Sequence, residues 1–445
     1  MDVRRKSVAV AALALSVGLV AAVCGTSTAS SAAPTRASHP TAATLDAAST
    51  PGVTSKTITV GSLATQSGEL AGQFAAVVNG VEAYFSYVNA RGGVNGRKIN
   101  LKYKLDDAAS TTDDTTQARN LVEQDHVFAV VGVGTPFFTG ASFLATVGTP
   151  TFGYVVTQDW NNRKSLFGAY GSDLDYTTSQ PVEAYLAKKL HAKSVSVLAY
   201  SIAASSHDAC ASVVAGLKKA GVHVGFQDLS FPYAGNPTAD VLKMKAAHTD
   251  LYVACMAGND NLSFAKTMAE YGLGNVKKIW LNGYDRSFLK QAPSSMVGVI
   301  YLLQHVPFES VSQFPGKYPA MAQYLATMKK YQPKYVYNDL AFQGYLNGVQ
   351  FVQGLQEVAK AHLPLTQANL VKTINKEKAF SGGLTTSVNW TNAHNSAPPP
   401  YCSAFVQVMA GDKLKVVFQQ KNDEVFVCGN NAGKVVPPLP GTPGL

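Results

Sequence analysis

At 445 residues the chain is too long for one small core, so two domains are the natural expectation. Apolar residues make up 46% and charged residues 15%, with no heptad or collagen-like period, which excludes fibrous classes. The net charge of +9 is spread along the chain without a Lys/Arg block, which excludes a nucleic-acid stripe; it reads as a solvated basic surface, or as attraction to an anionic envelope or wall.

Residues 1–24, MDVRRKSVAVAALALSVGLVAAVC, open on Arg4, Arg5 and Lys6 and continue as an apolar run from Val8 to Val23. This is the pattern of an export signal, short for a membrane span and followed by no stop-transfer charges. Cys24, with Gly25 behind it, stands where a bacterial lipobox places its lipidated cysteine; cleavage at small residues between about 29 and 33 is the other reading. The expected location is therefore the outer face of the cytoplasmic membrane through a lipid anchor on Cys24, or the periplasm or medium without one. Residues 25–55, rich in Ser, Thr, Ala and Pro, are expected to form a flexible tether.

Regular structure starts at TITVGSLA (57–64), which reads as a strand. Val81, Tyr84, Phe85 and Val88 recur at helical spacing through 77–90. Gly92 and Gly93 end that helix, Asn95-Gly96 turns the chain, and KINLKY begins a half-buried strand. Strand, helix, turn and strand make a right-handed βαβ crossover. Asp106 and Asp107, at the end of the second strand, read as loop-shaping residues. A capped helix over 111–125, the apolar strand 127–134, a helix over 138–148 and a strand ending at Thr157 continue the alternation.

After a composition change at 168–180 the alternation restarts. Helices are expected over 180–192, 207–221, 237–248 and 262–273, with strands at 194–200, 222–231, 250–258 and 278–284. Two doubly wound α/β domains account for these two runs better than one large sheet. Helices at 318–331, near 338–361 and near 366–376 follow, then a β meander from Tyr401; residues 433–445 are expected to be disordered.

Apart from Cys24 there are four cysteines, an even count that favours two disulfides in an exported chain. Cys402 begins one strand and Cys428 ends another with turns between, so they are paired as cross-strand neighbours. Cys210 and Cys255 are the remaining pair; buried free thiols are the alternative. No C-x-x-C, Walker A, G-x-S-x-G or H-E-x-x-H motif is present, and GVGTPF (132–137) breaks the dinucleotide fingerprint at Phe137. The sequence thus calls for no cofactor and no metal, and a non-enzyme is expected.

The segments ITVGSLATQSGELAGQ (58–73), NARGGVNGRKINLKYKLDD (89–107), ARNLVEQDHVFAVVG (118–132) and GTPTFGYVVT (148–157) together resemble the type I periplasmic binding proteins, specifically the branched-chain amino-acid-type receptors of ABC importers. The resemblance implies two Rossmann-like lobes joined by three crossovers, with ligand held between them. Lobe one would be 56–172 plus 305–388, and lobe two 173–304 plus 389–432. It implies a monomer that takes a small molecule, either an amino acid or an apolar or aromatic carboxylate-like compound, and hands it to ABC permease subunits. A ligand sensor without transport, or less readily an enzyme on the same fold, would share these features.

Carried over residue by residue, the family pattern puts Gly134 and Thr135 in the loop after the third strand, with Pro136 where the family places a carboxylate-binding serine. Val155 and Thr157 follow the next strand. In the first loop Gln66, Ser67 or Gln73 would serve in place of the family's tyrosine. Lobe two would offer Ser205, Ala257, Tyr284 and Asp285, the last facing a ligand ammonium. Phe137, Phe138 and Trp160 suggest an aromatic ligand face, or packing beneath the loop.

Overall fold

A computed structural model of the chain describes residues 50–175, 181–201, 203–335, 338–395, 401–429, 435–436 and 441–443. The signal segment, Cys24 and the tether as far as residue 49 lie outside the described residues. Thr57–Ala64 (β1), Lys98–Asp106 (β2), Ala129–Val133 (β3), Thr151–Gly153 (β4) and Leu166–Gly168 (β5) form a parallel sheet in the order β2-β1-β3-β4-β5. The strand expected to end at Thr157 stops at Gly153, and β5 was not anticipated, since three residues carry no period.

The second sheet repeats the plan. Val195–Tyr200 (β6), Val224–Phe231 (β7), Leu251–Ala254 (β8), Lys277–Trp280 (β9) and Val299–Leu303 (β10) are parallel in the order β7-β6-β8-β9-β10. The unanticipated β10 is a short apolar run whose signal does not distinguish strand from helix. Tyr401–Met409 (β11) adds antiparallel to β10, and Lys413–Val417 (β12) and Val427–Gly429 (β13) pair with successive parts of β11. Val435–Val436 (β14) closes the edge on β13, and Thr442 Oγ1 accepts a hydrogen bond from Ser387 N. Part of the segment expected to be disordered is therefore structured, because an open sheet edge binds β-branched residues. At the other end, Val53 bridges Ile58 and Thr59 N donates to Gly52 O, so residues 50–55 belong to the folded body rather than to a tether.

The first sheet is held from one side by the helix Ala76–Ala90 and by Asp339–Lys360, which crosses it. The two helices meet at glycines: a Cβ on Gly80 would lie 1.8 Å from Ala341 O, and one on Gly344 1.8 Å from Val77 O. The turn that ends Ala76–Ala90 follows the sequence reading, with Gly92, Gly93, Asn95 and Gly96 all at positive φ. Both expected disulfides are formed, Cys402–Cys428 across β11 and β13 and Cys210–Cys255 between the helix Ala204–Lys219 and the end of β8.

The chain passes between the sheets three times, and the passes bond to one another. Ser172 N and Asp173 N donate to Ala393 O, at 2.8 and 3.0 Å. Val306 N donates to Leu384 O at 2.8 Å, and Thr385 Oγ1 to Gln304 O at 2.6 Å. His305 lies buried in this junction, stacked on Phe342.

Candidate functional site: a cleft at the strand ends of both sheets

A parallel strand followed by a helix leaves its carboxyl end and the helix N-terminus on one edge of the sheet, and a ligand crevice opens where the strand order reverses. Both sheets have that reversal, at β1 and at β6. Residues following every strand from β1 to β10 converge on one cavity of about 780 Å³, within the size range of small-molecule sites.

From the first sheet come Gln73 and Phe74 after β1, Ala108 and Ala109 after β2, Pro136 and Phe137 after β3, and Tyr154 and Val155 after β4. The two aspartates behind the second strand shape this wall. Asp106 Oδ1 accepts from Gln66 N and Ala108 N, both at 2.8 Å, and Asp107 Oδ1 from Thr65 Oγ1 at 2.6 Å and Ala109 N at 3.1 Å. They hold Ala108 and Ala109 at positive φ on the cavity rim, which is the loop-shaping role their position suggested. Beneath them, burial and then the charge of Asp107 push the Asp114 carboxyl up to about 7 against the pull of Gly140 N–H.

The second sheet supplies Tyr200 and Ser205 at the end of β6, Tyr233 after β7, Met256 and Ala257 after β8, and Asn282 after β9. Tyr200 Oη donates to Asp260 Oδ2 at 2.5 Å and accepts from Ala257 N at 2.9 Å. Ser206 Oγ donates to Cys255 O at 2.5 Å and accepts from Tyr200 N at 2.9 Å. Among the bonds that join residues of the two lobes, Tyr233 Oη donates to Glu69 O at 3.3 Å, and Asn338 Nδ2 to Asp285 Oδ2 at 3.1 Å.

Of the residues expected at the site, Phe137, Val155, Ser205 and Ala257 line the cavity, as do Pro136 and Gln73. The others point elsewhere. Gln66 Nε2 donates to Leu105 O, and the exposed Ser67 bonds Asp106. Gly134 continues the sheet, its N donating to Leu63 O and its carbonyl accepting from Thr65 N. Thr135 is buried and its Oγ1 accepts from Phe137 N at 3.2 Å. Thr157 Oγ1 donates to Asp159 Oδ2 at 2.8 Å.

Trp160 and Phe138 are wholly buried with ring centroids 4.7 Å apart, so they are packing beneath the loop and not a ligand face. Trp280 is equally buried against Tyr301. Tyr284 donates to Glu309 in the core, and Asp285 caps the helix Arg286–Gln291 through Ser287 N at 2.7 Å. The displaced residues share one cause, since each has a hydrogen-bond or packing partner a few residues away in space that the sequence does not display.

Sequence reasoning missed the cavity's tyrosines and all five of its acids, Glu69, Asp173, Asp175, Glu183 and Asp339. Tyr154, Tyr170, Tyr200 and Tyr233 line it, together with Glu183, Asp339 and Gln343. Glu183 and Asp339 both sit in the first turn of a helix, where an acid reads as a complement to the helix dipole. Glu183 is 4% exposed, its Oε2 has no hydrogen-bond partner, and burial pushes its carboxyl up to about 7. Gln343 Nε2 donates to Asp339 Oδ2 at 3.3 Å, which leaves Gln343 Oε1 buried and unpartnered. The other Asp339 oxygen lies 2.9 Å from His305 Nε2. Among the described residues no group of three or more His, Cys, Asp or Glu is placed to hold a metal ion, and no helix is long and apolar enough to cross a membrane.

Comparison with known proteins agrees with this geometry. A family model described as Periplasmic binding protein matches residues 57–413. The fold is similar to that of a fatty acid ABC transporter substrate-binding protein from Thermomonospora curvata, at TM-score 0.69 and 19% identity over 87% of this chain and 97% of that one. It is similar to a solute binding protein of an ABC transporter from R. palustris in complex with 4-hydroxybenzoate, at 0.66 and 15% over 88% and 98%. A third is the branched-chain amino acid transporter substrate binding protein LivJ from Streptococcus pneumoniae in complex with isoleucine, at 0.63 and 19% over 81% and 99%. No curated protein sequence matches.

Proposed function

Since the chain belongs to the periplasmic binding protein family, we propose that it captures a small organic molecule in the cleft and presents the closed, loaded form to an ABC importer permease. The observation that carries this reading is the convergence of all ten parallel strand ends on one cavity, with three mutually bonded crossovers at its base. Such a joint lets two rigid sheets close on a ligand by small backbone rotations. A permease can respond only to a state that the ligand stabilises, so closure is the signal. The site holds its molecule without converting it, in keeping with structural neighbours that are substrate-binding proteins. Export and lipid attachment through Cys24 would hold the monomeric body beside the permease.

The test is small-angle scattering and native mass spectrometry on the purified intact protein, followed by co-purification with permease subunits. A retained small molecule, a smaller radius of gyration on rebinding it, and recovery of the permease are the expected results. A ligand that binds without closure would remove delivery from the reading. Turnover of that ligand would replace it with an enzyme.

A further inference from the structure

We propose that the cleft takes an organic cation, a protonated amine or amidinium on an apolar body, rather than the amino acid or carboxylate-like compound that the resemblance implies. This rests on the solute-binding reading and names its substrate class.

Three observations carry it. First, Glu69, Asp173, Asp175, Glu183 and Asp339 line the cavity, and among the described residues no Lys, Arg or His does, although the whole chain has a net charge of +9. The acid lining therefore runs against the chain's composition. Second, the wall carries buried oxygens that lack a donor. Glu183 Oε2 and Gln343 Oε1 are unpartnered on side chains 4% and 2% exposed. The orientation of Gln343 is set by Asp339, since turning the amide would place oxygen against a carboxylate. Buried acceptors are costly unless a donor arrives, and a ligand with N–H groups supplies one. Third, the apolar wall is aromatic: Phe74 and Tyr154 lie 6.3 Å apart and Tyr200 and Tyr233 5.6 Å apart, and ring faces attract cations.

Helix N-termini oppose this reading, because each carries roughly half a positive charge. Ala204–Lys219 and Gly258–Glu270 start at the cavity without a side-chain cap, while Asp339–Lys360 is capped by Asn338. The N–H of Ala257 is already bonded to Tyr200 Oη, and Ser206 Oγ to Cys255 O. Pro136, on the wall where the resemblance expects a serine, has neither hydroxyl nor N–H. His305 Nε2 lies 2.9 Å from Asp339 Oδ1, outside the wall. Carboxylates are the charged side chains of the lining, and of its buried groups without a partner Glu183 Oε2 and Gln343 Oε1 are carboxyl and amide oxygens, while the Tyr170 hydroxyl can donate or accept.

The experiment is isothermal titration calorimetry of the purified intact protein with probes that share one body: 2-phenylethylamine, L-phenylalanine and 3-phenylpropanoate, with octylamine and octanoate as a second pair. The amine of at least one pair should bind about tenfold or more tighter than its carboxylate, as one hydrogen bond to a charged partner gives. Glu183→Gln should remove most of that preference while the protein still melts cooperatively. Phe137→Lys, at a half-buried loop position, should weaken the amine and strengthen the carboxylate.

A carboxylate or phenylalanine that binds at least as tightly as the amine overturns the cation assignment and leaves the solute-binding function standing. Amine preference that survives both substitutions also overturns it. Absence of binding by both amines does the same, and native mass spectrometry then separates the two readings. A retained small molecule keeps the solute-binding function, and an empty cleft with no response to any probe removes that as well.

Discussion

Replacing Glu183 by Gln should change how the unliganded protein's stability depends on pH, with a sign fixed by burial. The Glu183 carboxyl is raised from 4.5 to about 7, with desolvation as the largest cause and no charged neighbour contributing. Between those values the folded chain keeps a proton that the unfolded chain has released. The resulting stabilisation is fully present below pH 4.5, declines as pH rises, and is gone above about pH 7. A shift of about 2.5 units at 1.36 kcal/mol each sets the swing at about 3 kcal/mol. Glutamine has the same shape and no charge, so Glu183→Gln should match the parent near pH 4.5 and exceed it by up to about 3 kcal/mol at pH 8. For a folded body of about 400 residues that corresponds to roughly 3–4 °C in Tm. Asp114, also raised to about 7, tilts both proteins alike and cancels in the difference. Calorimetric melts at half-unit steps from pH 4.5 to 8 measure it. Parallel curves, or a variant less stable at pH 8, would show that Glu183 has a partner and refute the argument.

Replacing both cysteines of Cys210–Cys255 by Ala should cost about 4 kcal/mol and of Cys402–Cys428 about 3.5 kcal/mol, from loop closures of 45 and 26 residues, read by denaturant titration. Gly344→Ala places a methyl against Val77 O and should destabilise by about 3 kcal/mol through separation of the two central helices, visible as a lower denaturation midpoint. Thr157→Val breaks only the bond to Asp159 and should cost about 1 kcal/mol in the same titration, with affinity for the tightest probe unchanged; a tenfold loss would return Thr157 to the site. Cys24→Ser should move the protein from the membrane fraction to the soluble one, and unchanged fractionation would remove the anchor.

Much of the fold was legible because its signals are local. The βαβ unit around Asn95-Gly96, the stripe Val81, Tyr84, Phe85 and Val88, and the apolar strand at 129–133 are each written in a few consecutive residues. Val81, Phe85 and Val88 are buried as their spacing predicts, and Cys402 faces Cys428 across paired strands. The strands that escaped, β5 and β10, are too short for a period to emerge. The three-residue limit of β4 depends on the neighbour it pairs with, not on its own residues.

The site was legible only where a loop follows directly from its strand. Phe137, Val155, Ser205 and Ala257 reach the cavity because a strand's end fixes the position of the next few residues. Thr157, Trp160, Tyr284 and Asp285 are equally close to strand ends, yet Asp159, Phe138, Glu309 and Ser287 claim their side chains. Sequence alone determined the alternation of strands and helices and the doubling of the α/β plan, since each follows from side-chain period and backbone preference over a few residues. Tertiary structure decided which groups face the cleft and which lack a partner. Glu183 and Gln343 stand 160 positions apart in the chain, and whether either oxygen finds a donor depends on long-range packing that no local pattern encodes.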